Sequence, residues 1–359
     1  MSMKRAPVMV FAGEFWAGSS GCGLAEGFRQ AGWAVREVDL KHYRIPPVGG
    51  RALSIVSRLA HRMTREAYLR KVLEECRTLK PDIFLTIKGM GMTAELLRRI
   101  KETGARTVMY YPDYHFDYAG VSIDSFGEYD LFVTTKTFQR QYLEGLIGGE
   151  RVAYVPHGYV PAVHRPIFDE VAEDGFRVDV LYPGNHSAYK QKWLESTLAG
   201  MQDLSVEIVG NRWRENVSSG PLAHCIMTGE RIGVGYVAAI QTARINVAIH
   251  HGPAASGWED LVSTRTFEIP ACKGFMLHID NSEVRELYTP GVEIDVFSDP
   301  EELADKMRFY LARPELRAEM INRAYKRSVP AYSYSSRVAA IDSLIAERVL
   351  INSRRAASI

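Results

Sequence analysis

The chain has 359 residues, 44 Lys and Arg against 43 Asp and Glu, a formal net charge of +1, and 46% hydrophobic beside 24% charged residues. This is more chain than one core usually organises, so two domains of roughly 150 to 180 residues are expected in an ordinary soluble globular protein. The near-zero charge, without a basic stripe or RNA-binding signature, argues against a nucleic-acid partner. The four cysteines (Cys22, Cys76, Cys225 and Cys272) lack the spacing of a zinc site or disulfide framework.

Lys4 and Arg5 precede an apolar run that Gly13 and Glu14 break too soon for a signal peptide or membrane span, so a cytoplasmic protein is expected. The run, Pro7 to Gly13, reads as a strand; Leu24 to Ala31 reads as a helix and Ala34 to Asp39 as a second strand. A long helix is predicted from Leu53 to Leu79, then a strand over 81–87, a helix over 94–101 and a strand over 107–111. A strand at 130–134, a helix at 138–146 and a strand at 152–155 close this first series at Pro156-His-Gly158. Apolar strands alternating with helices imply an α/β fold with a doubly wound parallel sheet.

The acidic stretch Asp169-Glu-Val-Ala-Glu-Asp-Gly175 reads as surface linker. Beyond it, strands are expected at 178–182, 206–209, 245–249 and 275–279, with helices at 191–200, 235–243 and 265–271, a second doubly wound sheet. Asp299-Pro-Glu-Glu302 combines an N-cap acid, a proline at the first helical position and a glutamate at the third, so a helix starts there and runs to about Ala312. From Ser336, Val338, Ile341, Leu344, Ile345 and Val349 recur at helical spacing as an amphipathic terminal helix. The expected division is 1–165, 166–335 and a terminal helix at 336–359.

The stretch Ser263-Thr-Arg-Thr-Phe-Glu-Ile-Pro-Ala-Cys-Lys-Gly-Phe-Met-Leu-His-Ile-Asp280 places an acid in a short helix, followed by a glycine turn and an apolar strand. It resembles the signature of bacterial glycosyltransferases of the GT-B fold, in particular the spore-coat-maturation-like (CgeB-like) proteins and the glycosyl transferases group 1 family. The resemblance continues through Glu286-Leu-Tyr-Thr-Pro-Gly-Val-Glu293, Asp299-Pro-Glu-Glu-Leu303 and Tyr310-Leu-Ala-Arg-Pro-Glu-Leu-Arg317, and covers about 178–335. It implies two Rossmann-like domains facing across a cleft, with the terminal helix crossing back onto the first. The implied activity moves a sugar from a nucleotide diphosphate donor, such as a UDP-sugar, to a saccharide or glycoconjugate acceptor, without a bound cofactor or metal.

Such transfer needs a cradle for the diphosphate, whose charge grows as the glycosidic bond breaks; helix N-termini and basic residues supply one. Tyr182-Pro-Gly-Asn-His-Ser-Ala-Tyr-Lys-Gln-Lys192 puts Gly184, Lys190 and Lys192 after a strand and before a helix; Lys192 is preferred to meet the phosphates. The bland reading of these lysines is a solvated helix start. By resemblance, Glu268 accepts from the ribose hydroxyls, Arg265 touches phosphate, and Asp260, eight positions before Glu268, meets the donor sugar where relatives carry Glu. Arg212 and Arg214 are further phosphate candidates, Arg231 lies in the loop expected to frame the nucleobase, and Lys273 in a turn. His250 and His251 end a strand and are candidate contacts to the donor sugar; no carboxylate at metal spacing accompanies them.

In the first half, Tyr110-Tyr-Pro-Asp-Tyr-His-Phe-Asp117 joins aromatic faces to hydroxyl acceptors, a chemistry suited to carbohydrate. Asp113 or His115 is the candidate general base if the reaction inverts; retention, implied by resemblance, needs none. His157 is weighed in the same way, and a histidine beside aromatics is commonly a packing residue. Two other readings exist. An NAD-dependent oxidoreductase would use the opening strand, turn and helix with Asp39, but Gly18, Gly21 and Gly23 have the wrong spacing. A non-catalytic nucleotide-sugar-binding or scaffold protein is suggested by the shorter acid at Asp260.

Overall fold

The computed structural model describes residues 5–44, 54–254 and 256–350. They form two compact units, one ending at Pro156 and resuming at Tyr334, the other spanning His157–Ser333. The expected start of the long helix at Leu53, and the end of the terminal helix beyond residue 350, lie outside the described residues.

In the first unit, strands β1 (Val8–Gly13), β2 (Ala34–Asp39), β3 (Ile83–Ile87), β4 (Arg106–Tyr111), β5 (Leu131–Thr134) and β6 (Val152–Tyr154) form one parallel sheet in the order β2-β1-β3-β4-β5-β6. β3 and β5 are buried along their whole length, as strands covered on both faces require. Helices α1 (Ser20–Gln30), α2 (Ser54–Leu79), α3 (Ala94–Lys101) and α4 (Thr137–Ile147) make the crossovers. α1 starts four residues before the predicted Leu24 because Ser19 caps it, accepting from the Cys22 amide at 3.1 Å.

Gly23 and Gly27 of α1 are packing surface. A Cβ at Gly23 would lie 2.5 Å from the Tyr334 ring and one at Gly27 2.7 Å from the Val338 side chain. These belong to α12 (Tyr334–Leu344), which lies on α1 and is tied to it by Tyr334 and Ser20 (2.6 Å), while the Trp33 indole donates to Asp342 at 2.9 Å.

In the second unit, β7 (Val178–Pro183), β8 (Val206–Val209), β9 (Ile226–Thr228), β10 (Ala243–Ala248), β11 (Met276–Ile279) and β12 (Asp295–Phe297) are parallel in the order β12-β11-β10-β7-β8-β9. The helices are α5 (Ala188–Leu198), α6 (Trp213–Asn216), α7 (Val234–Gln241), α8 (Thr264–Ala271), α9 (Ser282–Leu287), α10 (Pro300–Leu311) and α11 (Pro314–Ser328). Asp299 caps α10, accepting from the Glu302 amide at 2.8 Å, with Pro300 in its first turn. The three-residue strands β9 and β12 are absent from the sequence reading; they are too short to show a period. Among the described residues no helix is long and apolar enough to cross a bilayer.

Strand order reverses between β7 and β10, because the chain builds outward through β8 and β9 and then returns to the other side of β7. In such sheets ligands bind outside the carboxyl ends of the strands at this reversal.

Candidate functional site

β7 ends in the turn carrying Gly184, and β10 leads to Ile249 and His250. The Gly184 amide donates to Val209 at 2.7 Å and its carbonyl accepts from the Trp213 indole at 2.7 Å, which pins the turn. A Cβ at Gly184 would lie 2.5 Å from Nη1 of Arg265 and 3.0 Å from the Tyr182 hydroxyl; only glycine lets the guanidinium lie against this backbone. Gly210 meets the same turn, where an added Cβ would fall 2.2 Å from the Gly184 carbonyl oxygen.

Arg265 stands in the first turn of α8. Its Nη2 donates to the Ile249 carbonyl at 3.3 Å and to Nδ1 of His250 at 3.4 Å, while its Nε is buried without a hydrogen-bond partner among the described residues. Lys190 is 4% exposed and donates to the Asn185 carbonyl at 3.3 Å. Burial first, then Arg265 and Arg212 against the opposing Asp260, brings its ammonium down to about 7. Lys192, the sequence-preferred lysine, is exposed. With Ser187 capping α5, register turns Lys190 inward and leaves Lys192 on the outer face.

Glu268, one turn beyond Arg265, is 7% exposed and accepts from the Tyr236 hydroxyl at 2.9 Å. Burial holds the Tyr236 phenol well above its ordinary value, so it remains a donor. Nε2 of buried His164 lies 3.9 Å from the other carboxylate oxygen. His164 Nδ1 accepts from the Val160 amide at 3.0 Å and burial lowers its pKa, which puts the ring's proton on Nε2, facing Glu268. Neither His164 nor Tyr236 has a local sequence signal, since each reaches Glu268 from a distant segment.

Asp260 is buried in the same unit. Arg212 is exposed at a left-handed φ of 66° and its Nη2 reaches the His186 carbonyl at 3.5 Å. Arg231 forms an ion pair with Glu207 and Arg214 donates to the Met227 carbonyl at 2.8 Å, so both are engaged along β8 and β9. Lys273 donates to the Asp169 carbonyl at 3.0 Å and lies 5.5 Å over the Tyr325 ring. His250, expected to touch the donor sugar, is 1% exposed and turned to His278.

In the first unit, Asp113 is paired with Lys88 at 3.0 Å and His115 with Asp117, the His115 ring stacked on Tyr118 at 4.2 Å. His157 is buried in the second unit. Among the described residues no three His, Cys, Asp or Glu side chains gather as a metal site.

Residues 190–343 match the family model described as glycosyl transferase-like. No curated protein sequence matches the chain. Among solved structures, a sucrose-phosphate synthase from Thermosynechococcus elongatus is similar at a TM-score of 0.66 and 13% identity over 95% of this chain and 98% of that one. A glycosyltransferase from Rickettsia africae gives 0.65 and 12% over 95% and 98%. Anabaena HepE, solved with UDP-glucose, gives 0.64 and 12% over 94% and 99%. At these identities the likeness establishes the fold, which is GT-B.

Proposed function

From the GT-B fold and the match of residues 190–343 to the glycosyl transferase-like family model, we propose that this chain is a glycosyltransferase that carries out retaining transfer from a UDP-sugar to a saccharide or glycoconjugate acceptor in the cytoplasm. The observation that carries the reading is the meeting of Arg265 and Lys190 at the Gly184 turn, at the reversal of strand order, with Glu268 one helical turn away. Two cations and the α8 N-terminus suit a diphosphate, and a buried carboxylate held by Tyr236 suits a ribose diol. The N-H groups and cations stabilise the charge that develops on the leaving diphosphate, in the place of a metal ion.

HepE, of the same fold, is described in complex with UDP and with UDP-glucose, which favours uridine as the base here. Retention is proposed from the resemblance alone; in the first unit Asp113 is paired with Lys88 and His115 with Asp117. Asp260, buried near Lys190, is assigned to the donor sugar.

A melting-temperature panel of UDP, GDP, dTDP, CMP, ADP and NAD on the wild type and Glu268→Ala tests the reading, because a ligand that binds only the folded state raises the transition. UDP is expected to give the largest shift, reduced in the variant. A shift from NAD alone would overturn the assignment. Turnover of a UDP-sugar, with the anomeric configuration of the product read by NMR, separates transfer with retention from mere binding.

A further inference from the structure

Behind Arg265 lies a buried chain of hydrogen bonds with a defined direction. Nη2 of Arg265 faces Nδ1 of His250 at 3.4 Å, Nε2 of His250 faces Nε2 of His278 at 2.9 Å, and Nδ1 of His278 faces the Ile279 carbonyl at 2.7 Å. The two ends leave no freedom. A guanidinium only donates and a carbonyl only accepts. His278 must therefore carry its proton on Nδ1, leaving Nε2 bare; His250 must carry its own on Nε2, leaving Nδ1 bare for Arg265. Thr266 Oγ1, at 3.0 Å from the same His278 nitrogen, also accepts from the Ser263 amide at 3.2 Å, so the chain holds the N-terminus of α8 as well. Both rings are essentially inaccessible to solvent, at 1% and 0% exposure.

We infer that His250 and His278 are positioning residues, a neutral pair of opposite tautomers that fixes the guanidinium of Arg265 and the start of α8 toward a diphosphate. The inference rests on the donor reading above for its ligand, and on geometry alone for its tautomers. His278 does not touch the donor. Its loss removes the acceptor for His250, frees the His250 ring to turn over, and so releases Arg265 from its place against Gly184.

Two measurements on the full chain test it. Long-range nitrogen-proton NMR of histidine-labelled protein at pH 7, assigned with single variants, is expected to show His278 neutral with its proton on Nδ1 and His250 neutral with its proton on Nε2. Either ring as imidazolium, or both in the same tautomer, overturns the inference. Binding of UDP and of uridine to His278→Phe is the second. UDP is expected to weaken about tenfold while uridine is unchanged, because only the phosphates meet Arg265. Equal weakening of both would reveal a merely structural residue. Should wild type bind no UDP, the donor reading fails, inorganic pyrophosphate replaces UDP as the probe, and the NMR result still decides the tautomers. Retention of a wild-type Arg265 Nε resonance in His278→Phe would also overturn the coupling.

Discussion

The hydroxyl of Tyr288 donates to the main-chain carbonyl of Thr266 at 3.0 Å, and Thr266 is the residue to which Pro270, four positions on, has no N-H to offer. A proline inside a helix costs about 3 kcal/mol, part of it the lost hydrogen bond. Tyr288 supplies a replacement from outside the helix and is itself held by Ser328 at 2.9 Å. Arg265 and Glu268 ride on the segment so repaired. Tyr288→Phe is expected to lower the stability of the second unit by about 1 to 3 kcal/mol, since it strands a buried carbonyl. An unchanged denaturation midpoint would show that the carbonyl is satisfied otherwise.

Lys190 predicts a proton linkage. Its pKa in the folded protein is near 7, well below the ordinary lysine value, and an anion beside it favours the ammonium. UDP binding above pH 7 should therefore take up a proton, and affinity should fall as pH rises from 7 to 9. The phosphate's own ionisation, near a pKa of about 6, is about nine-tenths complete at pH 7 and opposes the trend only weakly above it. Calorimetry in two buffers of different ionisation enthalpy measures the uptake; Lys190→Met should abolish it, and Lys192→Met should not.

The two glycines of the turn predict opposite phenotypes. At Gly184 the added carbon meets the far end of a flexible arginine, so Gly184→Ala should cost about 1 kcal/mol or less of stability but displace Arg265 and weaken UDP binding about tenfold or more. At Gly210 it meets the Gly184 backbone, which has nowhere to go. Gly210→Ala should cost about 3 kcal/mol or more, or leave no soluble protein. Comparing the melting temperature and UDP affinity of each separates the two effects, and similar profiles would refute the assignment.

Acid should act through His278. Burial lowers its pKa from 6.5 to about 4, opposed first by the hydrogen bond to the Ile279 carbonyl, with Arg265 also lowering it and Asp260 and Asp280 raising it. A base with a depressed folded pKa binds its proton more readily when unfolded, so stability is lost as pH falls from 6.5 toward 4 and is unaffected above 6.5. The loss is on the order of 3 kcal/mol. Denaturation at pH 7 and pH 4.5 should show a smaller acid-induced loss in His278→Phe than in wild type; equal losses would exclude His278 as the source.

Much of this was legible in the residue pattern. The alternation of apolar runs with helices gave the six strands of the first sheet and four of the second, missing β9 and β12, and Asp299 with Pro300 announced α10. Glu268 and Arg265 stood out because their motif is local. Lys190 and Lys192 were not separable in the same way: both open one helix, and only its register beneath the Gly184 turn decides which is buried. Tyr236, His164 and His278 were invisible as partners because each depends on contacts between segments far apart in sequence. Gly23, placed outside the expected helix, misled for a related reason, since the surface that requires it belongs to α12, some 300 residues away.

That last contact orders events during synthesis. α1 is translated well before Tyr334 and Val338, which pack on it and emerge only after the whole of His157–Ser333 has been made. The first unit begun is therefore the last to be completed, and until then a glycine-lined strip of its surface stays open to water and to other nascent chains.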